Sequence, residues 1–192
     1  MTLVDENAFG ILIAHYGIEN EEYALERDAF VERFSEFRSS VLDFVANLPV
    51  ASAATALDLG HALYVEFADG EQSEDPLAWA KAARALLTGR SFDCAAIVAH
   101  GSRWRDDDGE ALPDVGELDG GVIWAQVSRP SEPLRRALAA EVATRRTDED
   151  DERGWGPGLY VDVEAVEALG RNFKNAPTAL EIGGATFYRV GR

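Results

Sequence analysis

The chain has 192 residues, of which 46% are hydrophobic and 28% charged, the composition of a folded globular protein rather than a disordered one. Its 35 acidic residues outnumber 18 lysines and arginines, and the resulting net charge of −17 argues against a nucleic-acid partner, whose phosphates it would repel. No apolar run is long enough to cross a bilayer and the amino terminus lacks the features of a secretory signal, so the sequence predicts a cytoplasmic protein without a membrane partner.

Two helices are predicted at the start of the chain. The first lies between Asp5 and Gly17, and Asn20 caps a second one that ends before Pro49. The apolar residues of the second helix recur in steps of four and three, at Phe30, Phe34, Phe37, Val41, Phe44 and Leu48. Because this is heptad spacing, we expect the helix to pack on a neighbour and to bury Phe37. The alternative is a homodimer through Phe30, Phe34, Phe37 and Val41.

After residue 60 the pattern changes to strands that alternate with helices. Strands are predicted at 61–68, 94–100, 122–127 and 159–163. One helix is predicted from Asp75 to Gly89. Ser131 caps another, whose buried side is expected to hold Leu134, Leu138 and Val142. A β-hairpin turning at Gly183-Gly184 closes the chain.

This order of elements predicts an α+β fold. From 61 to 163 it is β-α-β-β-α-β, the order of a ferredoxin-like sheet, which the C-terminal β-hairpin would extend. We expect an N-terminal helical hairpin at 1–49, a linker at 50–60 and an α+β domain at 61–192, together forming one compact unit. The alternative is a three-layer α/β sheet whose second face is covered by the N-terminal helices.

One segment concentrates the residue types of a small-molecule site. His100, Ser102, Arg103 and Arg105 follow a buried strand, where a histidine can act as general base and arginines can bind carboxylate or phosphate. They form a candidate pocket for an enzyme or a ligand-binding protein. No phosphate-binding glycine loop, catalytic motif or metal-ligand spacing accompanies them. The sequence therefore predicts no assigned catalytic residue, no metal and no cofactor.

Acidic loops next to tryptophans carry the other functional hypothesis. Segments 106–119 and 148–152 are rich in aspartate and glutamate, and a basic protein would be steered to them. The candidate interface consists of Trp104, Asp106, Asp107, Asp108, Asp148, Asp150, Asp151 and Trp155. The leading expectation is a non-enzymatic protein–protein interaction module that neutralises or regulates a basic partner. The alternative is the small-molecule enzyme or ligand-binding protein.

Overall fold

A computed structural model describes residues 4–16, 27–46, 55–72, 75–105, 131–145, 156–171, 179–182 and 184–190. Its strands are β1 (Val4–His15), β2 (Thr55–Asp58), β3 (Ala62–Ala68), β4 (Cys94–Arg105), β5 (Leu159–Asp162), β6 (Ala179–Ile182) and β7 (Ala185–Arg189). Its helices are α1 (Arg27–Val45), α2 (Pro76–Gly89), α3 (Glu132–Arg145) and α4 (Val163–Ala168). None of the helices in these ranges is long and apolar enough to cross a membrane.

The seven strands form one sheet with the order β2-β3-β1-β4-β5-β7-β6. From β1 to β4 the elements run β-α-β-β-α-β, with β1 antiparallel to both β3 and β4, as in a ferredoxin-like sheet. Strand β5 adds parallel to β4, and the hairpin of β6 and β7 adds antiparallel to β5. The predicted α+β fold, with its ferredoxin-like sheet and C-terminal β-hairpin, is confirmed.

The prediction was wrong for the first element, which shifts the position of the ferredoxin-like unit along the chain. The segment predicted as a helix from Asp5 is strand β1, so the unit begins at Val4 rather than at His61. Strand β1 lies between two other strands and has helices over both of its faces, and residues 8–15 are buried. A strand covered on both faces loses the apolar–polar alternation of a half-buried strand, so its apolar run also satisfies helical spacing.

Helices cover both faces of the sheet. Helices α1, α2 and α4 pack on the face that carries Phe9, Ile11 and Ile13, whereas α3 packs on the opposite face, beside Leu12 and Ala14. The second face is therefore covered as in the three-layer alternative, but by α3 rather than by N-terminal helices. The predicted linker contributes β2, which pairs with β3 at the edge of the sheet.

Helix α1 packs on the sheet through the predicted seam. Phe37 is fully buried, and its ring centre lies 5.2 Å from that of His15 and 5.6 Å from that of Phe92. Val41 is buried one turn further along. The expectation that Phe37 is buried is confirmed, and both side chains are covered by residues of the same chain. The side chain of Phe30 lies outside the described residues.

Candidate functional site

The predicted pocket residues lie along β4, but the structure does not bring the described ones to one point. His100 is buried; its Nε2 lies 3.2 Å from Asp69 Oδ2, and its ring packs on Phe9. Arg103, three residues on, is on the opposite face of the strand, because side chains alternate along a strand. Ser102 donates its main-chain N–H to the Glu132 carboxylate at 3.1 Å. The side chain of Arg105 lies outside the described residues.

Buried Arg103 is held by carboxylates. Its Nε donates to Glu6 Oε1 at 2.6 Å, and its Nη1 lies 3.9 Å from Glu66 Oε1. The hydroxyl groups of Tyr64 and Ser131 both donate to Glu66. Burial, together with the neighbouring Glu66 carboxylate, raises the pKa of Tyr64 and keeps its hydroxyl protonated. The positive charge of Arg103 is thus compensated within the fold.

Arg136 on α3 is compensated in the same way. It donates to Glu132 and Glu164 at 2.6 Å and to Asp162 at 2.8 Å. Burial raises the pKa of Asp162, although the guanidinium group of Arg136 opposes that shift. These groups lie at the end of the sheet where β1 begins and β3 and β4 end. We call it the acidic end; its charged residues are Glu6, Glu66, Asp69, Glu132, Asp162 and Glu164, with Arg103 and Arg136.

The opposite end of the sheet carries a different arrangement of charges. There β1 ends and β3 and β4 begin, and guanidinium groups donate to main-chain carbonyl oxygens. Arg33 donates to the carbonyls of Arg90 and Ser91 at 2.7 and 2.9 Å. Arg145 donates to the carbonyl of His15 at 2.7 Å, and Arg84 approaches that of Cys94 at 3.4 Å. We call this the arginine end, defined by Arg33, Arg84, Arg90 and Arg145.

A carbonyl oxygen satisfies an N–H donor without cancelling the charge of the guanidinium group. Arg33 and Arg145 also pair with Glu36 and Glu141, but the ion pairs of the described residues include neither Arg84 nor Arg90. The arginine end therefore keeps positive charge in a chain whose total charge is strongly negative. Such a place attracts anions by local field rather than by net charge.

His15 lies buried at the arginine end and is held neutral. Its Nδ1 has no hydrogen-bond partner among the described residues, and its ring stacks between Phe37 and Phe92. Burial lowers its pKa to about 4, and the positive charges of Arg33 and Arg145 add to that shift. The imidazole therefore carries no charge near neutral pH and adds none to the arginines.

His61 is the accessible histidine of this end. Its Nε2 lies 3.4 Å from Glu141 Oε1, with 39% of the His61 side chain exposed but only 4% of the Glu141 side chain. Burial opposes ionisation of Glu141, but hydrogen bonds from His61 and Arg145 outweigh it and lower its pKa. A proton held on Nε2 towards this carboxylate leaves the lone pair on Nδ1, the arrangement of a general base.

Tyr16 closes the same cluster. Its hydroxyl is hydrogen-bonded to that of Thr144, and the Arg145 guanidinium carbon lies 4.6 Å from the centre of its ring. Burial raises the pKa of Tyr16, so the phenol stays protonated. The cluster offers a guanidinium donor beside one oriented imidazole, a set that suits phosphate oxygens.

Sequence reasoning missed this cluster. The buried side of α3 was expected to hold Val142, but Val142 is half exposed and Glu141 is buried instead. A charged residue on the buried side of a helix breaks the apolar pattern, because its partners His61 and Arg145 come from tertiary structure. One feature of the sequence did point to the cluster. Arg145 lies in the last turn of α3, where a positive charge interacts favourably with the helix dipole.

The described residues do not fit a divalent cation of the kind that proteins hold through carboxylates. Across the described ranges, no group of three His, Cys, Asp or Glu side chains is placed to hold a metal ion. The predicted acidic interface, Asp106 to Asp108, Asp148, Asp150, Asp151 and Trp155, lies outside the described residues, as does the side chain of Trp104.

No family model matches this sequence, and a search of curated proteins finds no relative. Solved structures of similar fold do exist. The adenylyl cyclase CyaB of P. aeruginosa has a TM-score of 0.53 at 10% identity, with 100% of this chain and 97% of that chain covered. The guanylyl cyclase Cya2 gives 0.53 at 10% identity, covering 99% and 94%. The catalytic core of a rhodopsin-guanylyl cyclase with converted specificity, in complex with ATPalphaS, gives 0.50 at 12% identity, covering 100% of both.

These likenesses correct the leading functional expectation. The chain shares its fold, over essentially its whole length, with enzymes that act on nucleotides. The prediction of a non-enzymatic protein–protein interaction module for a basic partner was wrong. Net charge and acidic loops favour a basic partner but do not determine the fold. The alternative, a small-molecule enzyme or ligand-binding protein, agrees better with this fold.

Proposed function

We propose that this protein binds a nucleoside triphosphate at the arginine end of its sheet. The observation that carries the proposal is the contrast between the two ends. At the acidic end Arg103 and Arg136 are each held by carboxylates. At the other end Arg33 and Arg145 donate to main-chain carbonyls as well as to a carboxylate, and the ion pairs of the described residues include neither Arg84 nor Arg90. Charge that the fold does not cancel is available to the phosphates of a ligand.

Guanidinium groups suit this ligand for two reasons. Arginine presents five N–H donors in a planar fork that matches phosphate oxygens, so a group that gives one or two donors to the main chain keeps others for a ligand. The anchored groups are also held in place before binding, which reduces the side-chain entropy that binding would cost. Arg33 illustrates both points, because it is fixed by two carbonyls and lies 3.7 Å from the centre of the Phe92 ring.

His61 supplies the acid–base group of the proposed site. Reactions of nucleotide phosphates depend mainly on positioning and on electrostatic stabilisation, with one group that accepts a proton from the attacking hydroxyl or water. His61 is partly exposed and is oriented by the buried Glu141, so its Nδ1 is suited to that proton transfer. The described residues do not fit a metal ion.

Equilibrium binding of ATP and GTP, followed by calorimetry, tests the proposal. Arg90→Ala removes an exposed guanidinium group of the arginine end and should weaken binding about tenfold or more, the effect of losing a hydrogen bond to a charged group. The matched control is Arg171→Ala, which removes the same charge beside Asp75, far from the proposed site, and should leave affinity unchanged. Absence of binding, or equal losses in both variants, would reject the proposal.

A second proposal keeps only His100 from the predicted pocket. His100 is buried and has a carboxylate partner, Asp69, so this pair supports a general base at the acidic end. Exchange of His100 for Asn would then abolish turnover of a small substrate while nucleotide binding persists. A variant that loses nucleotide binding instead would show that the two ends are not separate sites.

A homodimer is also proposed. Because Phe37 and Val41 are buried within the chain, the dimer would form through the outward side of α1. Val31 and Leu42 are about half exposed and lie three helical turns apart, so they share the outward side of α1. A second copy could pack there. Leu42→Glu should then lower the mass measured by light scattering to that of one chain, and a mass unchanged by the substitution would exclude this surface.

A further inference from the structure

We infer that the arginine end binds nucleotide phosphates without a divalent cation, a property that rests on the proposed nucleotide binding. Phosphate groups need their negative charge balanced, and proteins commonly use Mg²⁺ held by one or two carboxylates. In this chain the guanidinium groups of Arg33, Arg90 and Arg145 lie where that balance is needed. The charge that a metal would bring is therefore already built into the fold.

The described carboxylates of the arginine end are mostly engaged by cations of the protein itself. Glu36 pairs with Arg33 at 2.7 Å, Asp58 pairs with Arg38, and Glu141 is bonded to both Arg145 and His61. A metal ion would have to displace a guanidinium or imidazole group from each of them. That exchange is costly at Glu141, which is buried, and costs less at the exposed Glu36 and Asp58.

Among the described carboxylates of this end, Asp93 is exposed and belongs to none of the ion pairs, so a cation would bind it without displacing another group. Its main-chain carbonyl accepts a hydrogen bond from Tyr16, which places it beside the proposed site. Yet a single carboxylate amid several guanidinium groups lies in a field that repels cations. Burial is the main reason why the pKa of His15 is lowered; the charges of Arg33 and Arg145 add to that shift, and the Asp93 carboxylate opposes it. Asp93 is therefore the residue that a metal-dependent site would need and a metal-free site would not.

Binding of ATP and GTP measured in EDTA and in MgCl₂, at equal ionic strength, tests the inference. We expect the affinity in EDTA to equal or exceed that in MgCl₂, because Mg²⁺ would reduce the charge that the arginines recognise. Asp93→Asn should leave binding intact or strengthen it, since it removes a negative charge near the phosphates. Arg90→Lys keeps the charge but loses the planar fork, and should weaken binding in both buffers.

The outcomes separate this inference from the proposed function. Binding that appears only with Mg²⁺, or that Asp93→Asn abolishes, would overturn the metal-free site while leaving nucleotide binding in place. Absence of binding in both buffers, by a chain whose thermal unfolding shows it to be folded, would reject nucleotide binding itself and the metal-free site with it.

Discussion

Truncation of Phe37 to alanine tests how α1 is joined to the sheet and to the arginine end. The side chain is fully buried, between the rings of His15 and Phe92. Removal of the Phe37 ring loses the free energy of burying it and leaves a cavity between α1 and the sheet. Together these cost about 3–5 kcal/mol. Because a domain is stabilised by only about 5–15 kcal/mol, this single change should remove about a fifth or more of the total.

Urea unfolding followed by circular dichroism measures this effect. With a slope of about 2 kcal/mol per molar urea, the midpoint should fall by roughly 1.5–2.5 M without a change of slope. Val142→Ala is the control, because that residue is on another helix and 50% exposed, and its cost should stay below about 1 kcal/mol. If Phe37→Ala and Val142→Ala shift the midpoint equally, α1 does not pack on the sheet as described.

Three further predictions concern buried groups. Folding holds the pKa of His15 at about 4 against 6.5 in the unfolded chain, so unfolded chains bind the proton first and stability should fall on the order of 2–3 kcal/mol as the pH drops from 6.5 to 4. A titration of unfolding free energy checks this, and His15→Gln should lack that part of the loss. Gly10→Ala would bring a Cβ into the Tyr64 hydroxyl and should cost about 1–3 kcal/mol. Gly89→Ala, with open space around it, should cost nothing measurable. The melting temperatures of the two variants, compared with that of the unchanged protein, test both expectations. Burial raises the pKa of the Cys94 thiol to about 11, so the native protein should react with a thiol reagent only once denaturant is added, and rapid native labelling would contradict the packing of β4.

Several local features of the fold could be predicted from the sequence because local chemistry alone decides them. Asp75 caps α2 and accepts the N–H of Leu77 at 3.0 Å, as expected from a carboxylate followed by proline. Gly184 adopts a positive φ of 84° in the C-terminal hairpin, where glycine is favoured. The α+β class followed from such signals, because strand and helix periods differ and turn residues mark the boundaries.

Strand β1 shows why other parts could not be predicted. A periodic pattern arises only when the two sides of an element meet different surroundings. Phe9, Ile11 and Ile13 face one core and Leu12 and Ala14 face the other, so the segment is apolar throughout and its period is ambiguous. Only the tertiary structure, with sheet neighbours on both sides and helices on both faces, distinguishes it from a helix.

The candidate site depends on tertiary structure to a still greater degree. Arg33, His61 and Arg145 are far apart in sequence and come to one end of the molecule because β1 runs antiparallel to both of its neighbours. The net charge of −17 is a sum over all residues and contains no information about position. The fold places carboxylates around the arginines of one end, whereas at the other end main-chain carbonyls take up some of the guanidinium donors and two arginines form no ion pair with a described residue. Electrostatic interactions act over a few ångströms in space, so the place where an anion can bind follows from tertiary structure, whereas composition determines only the total charge.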